Sequence, residues 1–350
     1  MATTPEHAAH LAALTEGLSR PEAFPVPAER VTTRRTHVSV LFFAGERVYK
    51  LKKPVDLGFT DQTTLARRRE LCEDELRLNR RTSPSMYLGV RAVRRRADGS
   101  LHVDGATPGE SEVVDFVVEM RRLPSERMLD VLIAEDAIDD GDLRRVAKKL
   151  ATFHANAAHG AREASHGTPA HVAEKLDENA RQLVEVALPH RGRVDPDAVQ
   201  ELRRRFSRFV AEHTELLERR VREGRIREGH GDLHAGNVCL VGDEVFVYDC
   251  VEFDLDLRTD DVACDVAFLV MDLEQRGHAE HARRLVELYA EVSGDAELAR
   301  LVPFYAAHRA LIRCKVDLFR AADATEDERE QALDEAARYL ELASSYRFEG

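Results

Sequence analysis

The chain has 350 residues and a net charge of −13, from 51 lysines and arginines against 64 aspartates and glutamates. That acidic balance excludes broad nucleic-acid binding, which needs a basic face, and no apolar run approaches the length that spans a bilayer. A hydrophobic content of 43% with 33% charged residues describes a globular chain, long enough for two lobes that each bury a core.

Five cysteines, Cys72, Cys239, Cys250, Cys264 and Cys314, include no C-x-x-C pair and suit neither a disulfide framework nor a zinc site. They read as buried thiols in a reducing cytoplasm. The first residues, MATTPEHAAHLAALTEGL, lack the charged and apolar regions of a signal peptide. The expected location is cytoplasmic, with no membrane partner.

Residues 6–18 predict a short helix, and the Pro-rich linker PEAFPVPAER follows it. VTTRRTHVSVLFFAGERVYKLKKP is rich in β-branched and aromatic residues and is broken at Ala44-Gly45-Glu46, which predicts strands joined by a tight turn. TLARRRELCEDELRLNRR places Leu65, Leu71, Leu76 and Leu78 among charges, the pattern of an amphipathic helix capped by Thr63 or Thr64. YLGVRAVRRRADGSLHVDG predicts a hairpin around Asp98-Gly99, and VVDFVVEM a largely apolar strand. Helical patterns then dominate: DLRRVAKKLATFHANAA, PAHVAEKLDENARQLVEVA, DAVQELRRRFSRFVAEHTELLERRVREG, and the chain from about Asp260 onward. The plan is α+β without βαβ alternation: a β-rich lobe over 1–122, then a helical lobe over 123–350 containing one β-rich interruption.

That interruption begins with HGDLHAGN at 230–237. NVCLVGDEVFVYDC, which overlaps its end, reads as strand, Gly-Asp turn and strand. A hairpin returns the chain to its start, so Asn237 at its entry and Asp249 at its exit are expected to converge. Both offer hard oxygen ligands, the kind Mg²⁺ takes when it bridges phosphates. Asp232 is left to orient a hydroxyl and accept its proton. A loop aspartate, an asparagine five residues on and a further aspartate after a hairpin follow the logic of phosphoryl transfer.

HGDLHAGN followed by VYDC resembles the core of the aminoglycoside phosphotransferase and choline kinase superfamily, relatives of protein kinases. In that superfamily HGD replaces the protein-kinase HRD, and the second aspartate stands where DFG would be. The resemblance implies a bilobal protein-kinase-like fold, with ATP and Mg²⁺ as cofactors. DVACDVAFL at 261–269 resembles the D-x-x-x-D-L-A segment of the superfamily, which implies that Asp265 braces the HGDLHAGN loop. THVS, VYKLKKPVDLGF, CEDELRLNRR, DCVEFD and DVAFLVMDL extend the likeness from about Thr36 to Leu273. Together they resemble a narrower bacterial group within the superfamily, some of whose members are fused to a C-terminal P-loop kinase. No G-x-x-x-x-G-K-[ST] occurs, so that second module is not expected.

A kinase of this kind needs a strand lysine tied to a helix glutamate. Strand alternation puts Lys50 and Lys52 on one face and Lys53 on the other. Aligning YKLK with V-A-I-K favours Lys52, while VYK favours Lys50. Lys52 is preferred as lying nearer the phosphates, with Lys50 the alternative. Among Glu70, Glu73 and Glu75, the chosen partner is Glu75. Adenine is expected at the end of VVDFVVEM, around Val118 to Met120, with Glu119 and Met120 contributing. No G-x-G-x-x-G precedes the lysine strand, and Thr36, His37 and Ser39 in RRTHVS are the substitutes expected to offer hydroxyls and N–H groups.

Each feature also has a plainer reading. HGDLHAGN is also compatible with a structural turn, or with Zn²⁺ held by His230, His234 and Asp232. His154, His159, His166 and His171 lie in a stretch read as a loop rather than a metal site, with His154 packed beneath the HGDLHAGN loop. Asp256, Asp260, Asp261 and Asp272 suit either an amine-bearing substrate or plain surface charge and helix caps. The expectation is an ATP- and Mg²⁺-dependent phosphotransferase acting on the hydroxyl of a small molecule, cationic molecules being among the candidates. The acceptor is placed against helices at roughly 160–225 and 275–345. The other reading is a nucleotide-binding sensor or scaffold without turnover.

Overall fold

A computed structural model describes residues 4–58, 60–105, 111–322 and 324–348. The chain is α+β and divides into two compact units, Met1–Arg127 with Cys239–Leu255, and Met128–Val238 with Asp256–Gly350. No helix among the described residues is long and apolar enough to cross a membrane.

In the first unit, Thr4 caps α1 (Pro5–Gly17) by accepting a hydrogen bond from the His7 amide. Six antiparallel strands follow: β1 (Val31–Arg35), β2 (Ser39–Ala44), β3 (Arg47–Lys52), β4 (Tyr87–Arg95), β5 (Leu101–Val103) and β6 (Glu112–Arg121). Their order in the sheet is β1-β2-β3-β6-β4-β5. Both expected hairpins are present. The β2–β3 turn needs Gly45, whose φ is +56° and where a Cβ would meet the Pro27 carbonyl at 2.7 Å.

Strand alternation decides what each face carries. Val40, Phe42, Tyr49 and Leu51 join Leu14, Leu18 and Phe24 in one buried apolar cluster. Lys50 and Lys52 therefore point to the opposite face, toward α2 (Leu65–Asn79), which Thr64 caps through the Arg67 amide. Arg68 fixes α2 against the sheet. Its Nε donates to both oxygens of Asp115 on β6, at 3.0 and 3.1 Å, and its Nη1 to the carbonyls of Gln62 and Thr63. His10 of α1 meets the same carboxylate at 3.2 Å, and Asp115 is fully buried.

The unit is completed by the hairpin of β8 (Val238–Val241) and β9 (Glu244–Val247), numbered after β7 (Ile226–Glu228) of the second unit. Ser83 ties this hairpin to the chain after α2, donating to the Val247 carbonyl at 2.8 Å and accepting from its amide at 2.9 Å.

The second unit holds α3 (Leu129–Ala134), α4 (Asp140–Asn156), α5 (Ala161–Ser165), α6 (Pro169–Ala187), α7 (Pro196–Glu212) and α8 (Thr214–Arg222). After α9 (Leu255–Arg258) come α10 (Val262–Gln275), α11 (Ala279–Ser293), α12 (Leu298–Ala322) and α13 (Glu326–Ser345). Every residue of α10 from Val262 to Leu273 is buried.

Two features depart from the sequence reading. The single helix expected over DAVQ to REG is two, broken at His213, whose ring stacks on Phe209 at 4.1 Å and meets the Phe209 carbonyl at 3.0 Å. The helical run expected from about Asp260 is preceded by a strand, β10 (Thr259–Asp261), which pairs with β7. Buried Arg220 anchors that strand, donating to both oxygens of Asp261 at 2.7 and 2.6 Å and to Asp295 at 2.5 Å.

Asp115→Asn leaves the Arg68 guanidinium buried without its counter-charge, and a loss of about 3–5 kcal/mol is expected in denaturant unfolding. A loss below about 1 kcal/mol would show that this pair does not anchor α2.

Candidate functional site

On the first unit, one carboxylate collects two lysines. Glu75 is wholly buried on α2; its Oε1 accepts from Lys50 Nζ at 2.9 Å and its Oε2 from Lys52 Nζ at 2.7 Å. Each lysine has a second acid. Lys50 donates to Asp249 Oδ1 at 2.5 Å, and Lys52 to Glu252. Burial alone would push both ammonium groups toward neutrality, but Asp249 and Glu75 hold Lys50, and Glu252 and Glu75 hold Lys52, above the ordinary lysine value. Burial likewise opposes charge on Glu75, and the two lysines outweigh it, keeping the carboxyl below its ordinary value.

The two lysines differ in access. Lys52 is completely enclosed between its two acids, whereas the Asp249 carboxylate that Lys50 meets is 47% exposed. Glu252 went unnoticed in the sequence, where DCVEFD offered only an acid of unknown direction.

Asp249 has a left-handed backbone, φ +65°. Aspartate tolerates this region better than most side chains, and neighbours hold it there. Its amide donates to Tyr87 Oη at 3.3 Å, and the Cys250 amide donates to Asn79 Oδ1 at 2.9 Å. Asn79 in turn donates to the Glu75 carbonyl at 2.9 Å. The segment leaving the hairpin is thus fastened to the helix that carries Glu75.

The loop expected to offer hydroxyls is closed on itself. Thr36 Oγ1 accepts from the Ser39 amide at 3.0 Å, and the Thr36 amide donates to the Ser39 carbonyl at 2.9 Å. Lys53, the residue just past β3, donates to the Thr36 and His37 carbonyls. His37 itself is exposed. Ser39 pairs directly with Lys52 across β2–β3, and its buried hydroxyl has no hydrogen-bond partner among the described residues.

Glu119 and Met120 lie near the end of β6, between β3 and β4, and pair with residues of both neighbouring strands. The Glu119 side chain binds Arg91 at 2.7 Å.

On the second unit, HGDLHAGN forms a loop held from beneath. Asp265 of α10 accepts from the His230 amide at 2.6 Å and the Gly231 amide at 2.9 Å. Burial disfavours its charge, but the hydrogen bond and charge of His154 dominate and keep its pKa below the carboxylate range. His154 lies under the loop, 3.3 Å from Asp265 and 2.7 Å from Tyr289 Oη. Gly229 leaves no room for a side chain, since a Cβ would meet Asp265 Oδ2 at 2.3 Å. Asp272 accepts from the Ala235 amide at 2.9 Å, and Arg309 donates to the Gly231 carbonyl at 3.1 Å.

His230 is buried, and its Nδ1 accepts from the Asp232 amide at 3.3 Å. Asn237 Nδ2 donates to the Asp232 carbonyl at 3.0 Å. The amide NH₂ is thereby spent on the loop, which keeps Oδ1 as the side chain's acceptor. Of the carboxylates on and under the loop, Asp265 and Asp272 are buried, while Asp232 is 37% exposed.

The other acids have definite partners. Asp256 meets His166 and His171, Asp260 meets Lys175, Asp261 meets Arg220, and Asp272 meets Arg276 as well as the loop. All five cysteines are buried and free, in line with the thiol reading.

Comparison with known proteins fits this geometry. The sequence model of the Phosphotransferase enzyme family matches residues 63–304. Uncharacterised proteins of Mycobacterium tuberculosis and Mycobacterium bovis are each 32% identical over 327 residues, 93% of this chain and 61% of theirs. The chain thus spans about 61% of the length of these relatives. Among solved structures, the GDP complex of aminoglycoside 2'-phosphotransferase-IIIa superposes with a TM-score of 0.53 at 14% identity, covering 98% of this chain and 99% of that one. A choline/ethanolamine kinase family protein from Mesorhizobium loti gives 0.52 at 12% identity, covering 95% and 99%. The fold is therefore that of the protein-kinase-like superfamily. Since the family match runs from ahead of α2 through the HGDLHAGN loop and its hairpin into α12, this chain belongs to the phosphotransferase enzyme family.

Proposed function

We propose that the protein is an ATP- and Mg²⁺-dependent phosphotransferase that phosphorylates the hydroxyl of a small molecule. The observation that carries this reading is the Lys50 ammonium, held between buried Glu75 and half-exposed Asp249. That is the strand lysine, helix glutamate and hairpin-exit aspartate which phosphoryl transfer from a nucleotide requires. We assign phosphate contact to Lys50 rather than Lys52, the residue favoured by strand position, because Lys52 is enclosed. Thr36 and His37 in the turn before β2, with Ser39 at the start of that strand, are the residues assigned to the nucleotide phosphates in place of a glycine-rich loop. Adenine is placed at the end of β6, around Val118 to Met120, with Glu119 and Met120 contributing.

Asn237 through Oδ1 and Asp249 through its carboxylate would hold Mg²⁺, both being hard oxygen donors. The ion, when bound, neutralises charge on the transferring phosphates. Asp232 orients the acceptor hydroxyl and takes its proton. Its neighbours Asp265, Asp272, His230 and Asn237 fix the loop backbone, and its carboxylate is the part-exposed acid of the loop. Catalysis then rests on position and electrostatics set before the acceptor arrives.

ADP release from ATP should appear in the presence of Mg²⁺ and one of several pools: sugars, amino sugars, amino alcohols, nucleosides or aminoglycosides. Asp232→Asn is expected to lower turnover about 10²- to 10⁴-fold while nucleotide affinity is retained. Activity within twofold of the parent would remove Asp232 from the mechanism, and nucleotide binding without turnover on any pool would favour the sensor reading.

The two lysines should separate in a paired experiment. Lys50→Met is expected to reduce kcat by about 10²-fold or more, as loss of a phosphate-gripping charge. Lys52→Met should chiefly lower stability, by about 3–5 kcal/mol, since it takes the lysine from buried Glu252 and one of the two from Glu75. Reversed effects would return the phosphate role to Lys52.

A further inference from the structure

The histidine-rich stretch, expected as a plain loop, contains a constructed cluster that phosphotransfer does not use. His166 Nδ1 lies 2.6 Å from Asp256 Oδ1, and His171 Nε2 lies 2.7 Å from the same oxygen. The three ligand atoms lie within 4.8 Å of one another. The rings stand edge to face, with centroids 5.1 Å apart and planes at 80°. The three side chains are 16%, 31% and 40% exposed, so the cluster is sheltered yet open to an ion from solvent.

The backbone between the histidines is shaped to bring them together. Thr168 caps α6, accepting from the His171 amide at 3.3 Å, and its hydroxyl donates to the Ser165 carbonyl at 3.1 Å. Gly167 packs so tightly on Ile226 that a Cβ would sit 2.2 Å from its side chain. One turn further along α6, Lys175 Nζ donates to the main-chain carbonyl of Asp256 at 2.6 Å, fixing the ligand-bearing backbone from behind.

We propose that His166, His171 and Asp256 form a binding site for a transition-metal ion of the Zn²⁺ class, with one coordination position left to solvent or a further ligand. Two imidazole nitrogens and a carboxylate suit Zn²⁺ and its neighbours, whereas Mg²⁺ and Ca²⁺ take oxygen. The H-x₄-H spacing falls within the range seen in such sites. Metal–ligand bonds of about 2.0 Å in tetrahedral array require ligand atoms about 3.3 Å apart. Side-chain rotation at these part-exposed residues supplies the small opening needed. Lys175 takes the place of an outer partner that orients a ligand, here through the backbone rather than through an imidazole. None of the residues assigned to phosphotransfer is involved.

The test uses the full chain, stripped of metal by a chelator and kept in excess Mg²⁺ so that oxygen sites are occupied. Co²⁺ is titrated by its visible absorption, and Zn²⁺ by competition with a chromophoric chelator. One equivalent is expected, together with a rise in Tm on adding Zn²⁺. His171→Ala and Asp256→Asn should weaken binding at least tenfold and abolish the Tm rise, while His190→Ala changes neither. Asp256→Asn preserves a side chain of the same size, and an unchanged far-UV circular dichroism spectrum separates lost binding from lost folding. No binding by the wild type, or binding that survives both substitutions, overturns the proposal.

Discussion

Glu75 has no water to solvate it and a lysine on each oxygen. A lone carboxylate in that position would be strongly disfavoured, and so would either lysine without it. The charges are stable only as a set. That set joins three pieces of chain distant in sequence: strand β3 through both lysines, helix α2 through Glu75, and the segment after the hairpin through Asp249 and Glu252. Arg68 and Asp115 do the same nearer the start of α2. The helix is therefore located twice, by two buried ion pairs of the same polarity logic, and the orientation of Lys50 follows from where that helix lies.

Much of this was readable from residue order. Alternation in VYKLK put Lys50 and Lys52 on one face because a strand has no other choice. Thr64 declared the start of α2, and Asp98-Gly99 declared the β4–β5 hairpin, since both signals act over a few residues. What could not be read depends on partners far along the chain. The choice between Lys50 and Lys52 turns on Glu252, two hundred residues from the strand. The break at His213 has no glycine or proline to announce it; a histidine ring stacked on Phe209 occupies that turn. The place of β6 between β3 and β4, which decides what lies beside Glu119 and Met120, is not something periodicity reveals. His166 and His171 looked like loop residues because their common partner, Asp256, lies eighty-five residues beyond the second of them.

The HGDLHAGN loop illustrates how a motif works without regular secondary structure. Its amides would be costly to bury unpaired, and buried carboxylates of α10 accept them instead. Asp265 takes two consecutive N–H groups, and Asp272 takes a third. Gly229 and Gly231 are required by that closeness, since a side chain at either would strike Asp265 or the Leu257 carbonyl. The order of the loop is thus established when the unit folds, and a ligand does not have to supply it. Structural likeness at 12–14% identity to an aminoglycoside phosphotransferase and a choline/ethanolamine kinase family protein fits a fold set by such patterns more than by particular core residues.

The left-handed backbone at Asp249 has a consequence for how this protein can change over time. At φ +65° the position sorts residues by backbone before chemistry has a say. Glutamate, an equally good oxygen donor, lacks the short side chain that makes the conformation tolerable. Asparagine and glycine fit the backbone well and lack the charge. The substitutions that the backbone accepts most readily here are thus the ones that remove the carboxylate paired with Lys50. Backbone and charge therefore pull in opposite directions at this one position: the first admits asparagine and glycine, while buried Lys50 demands a carboxylate on a short stem.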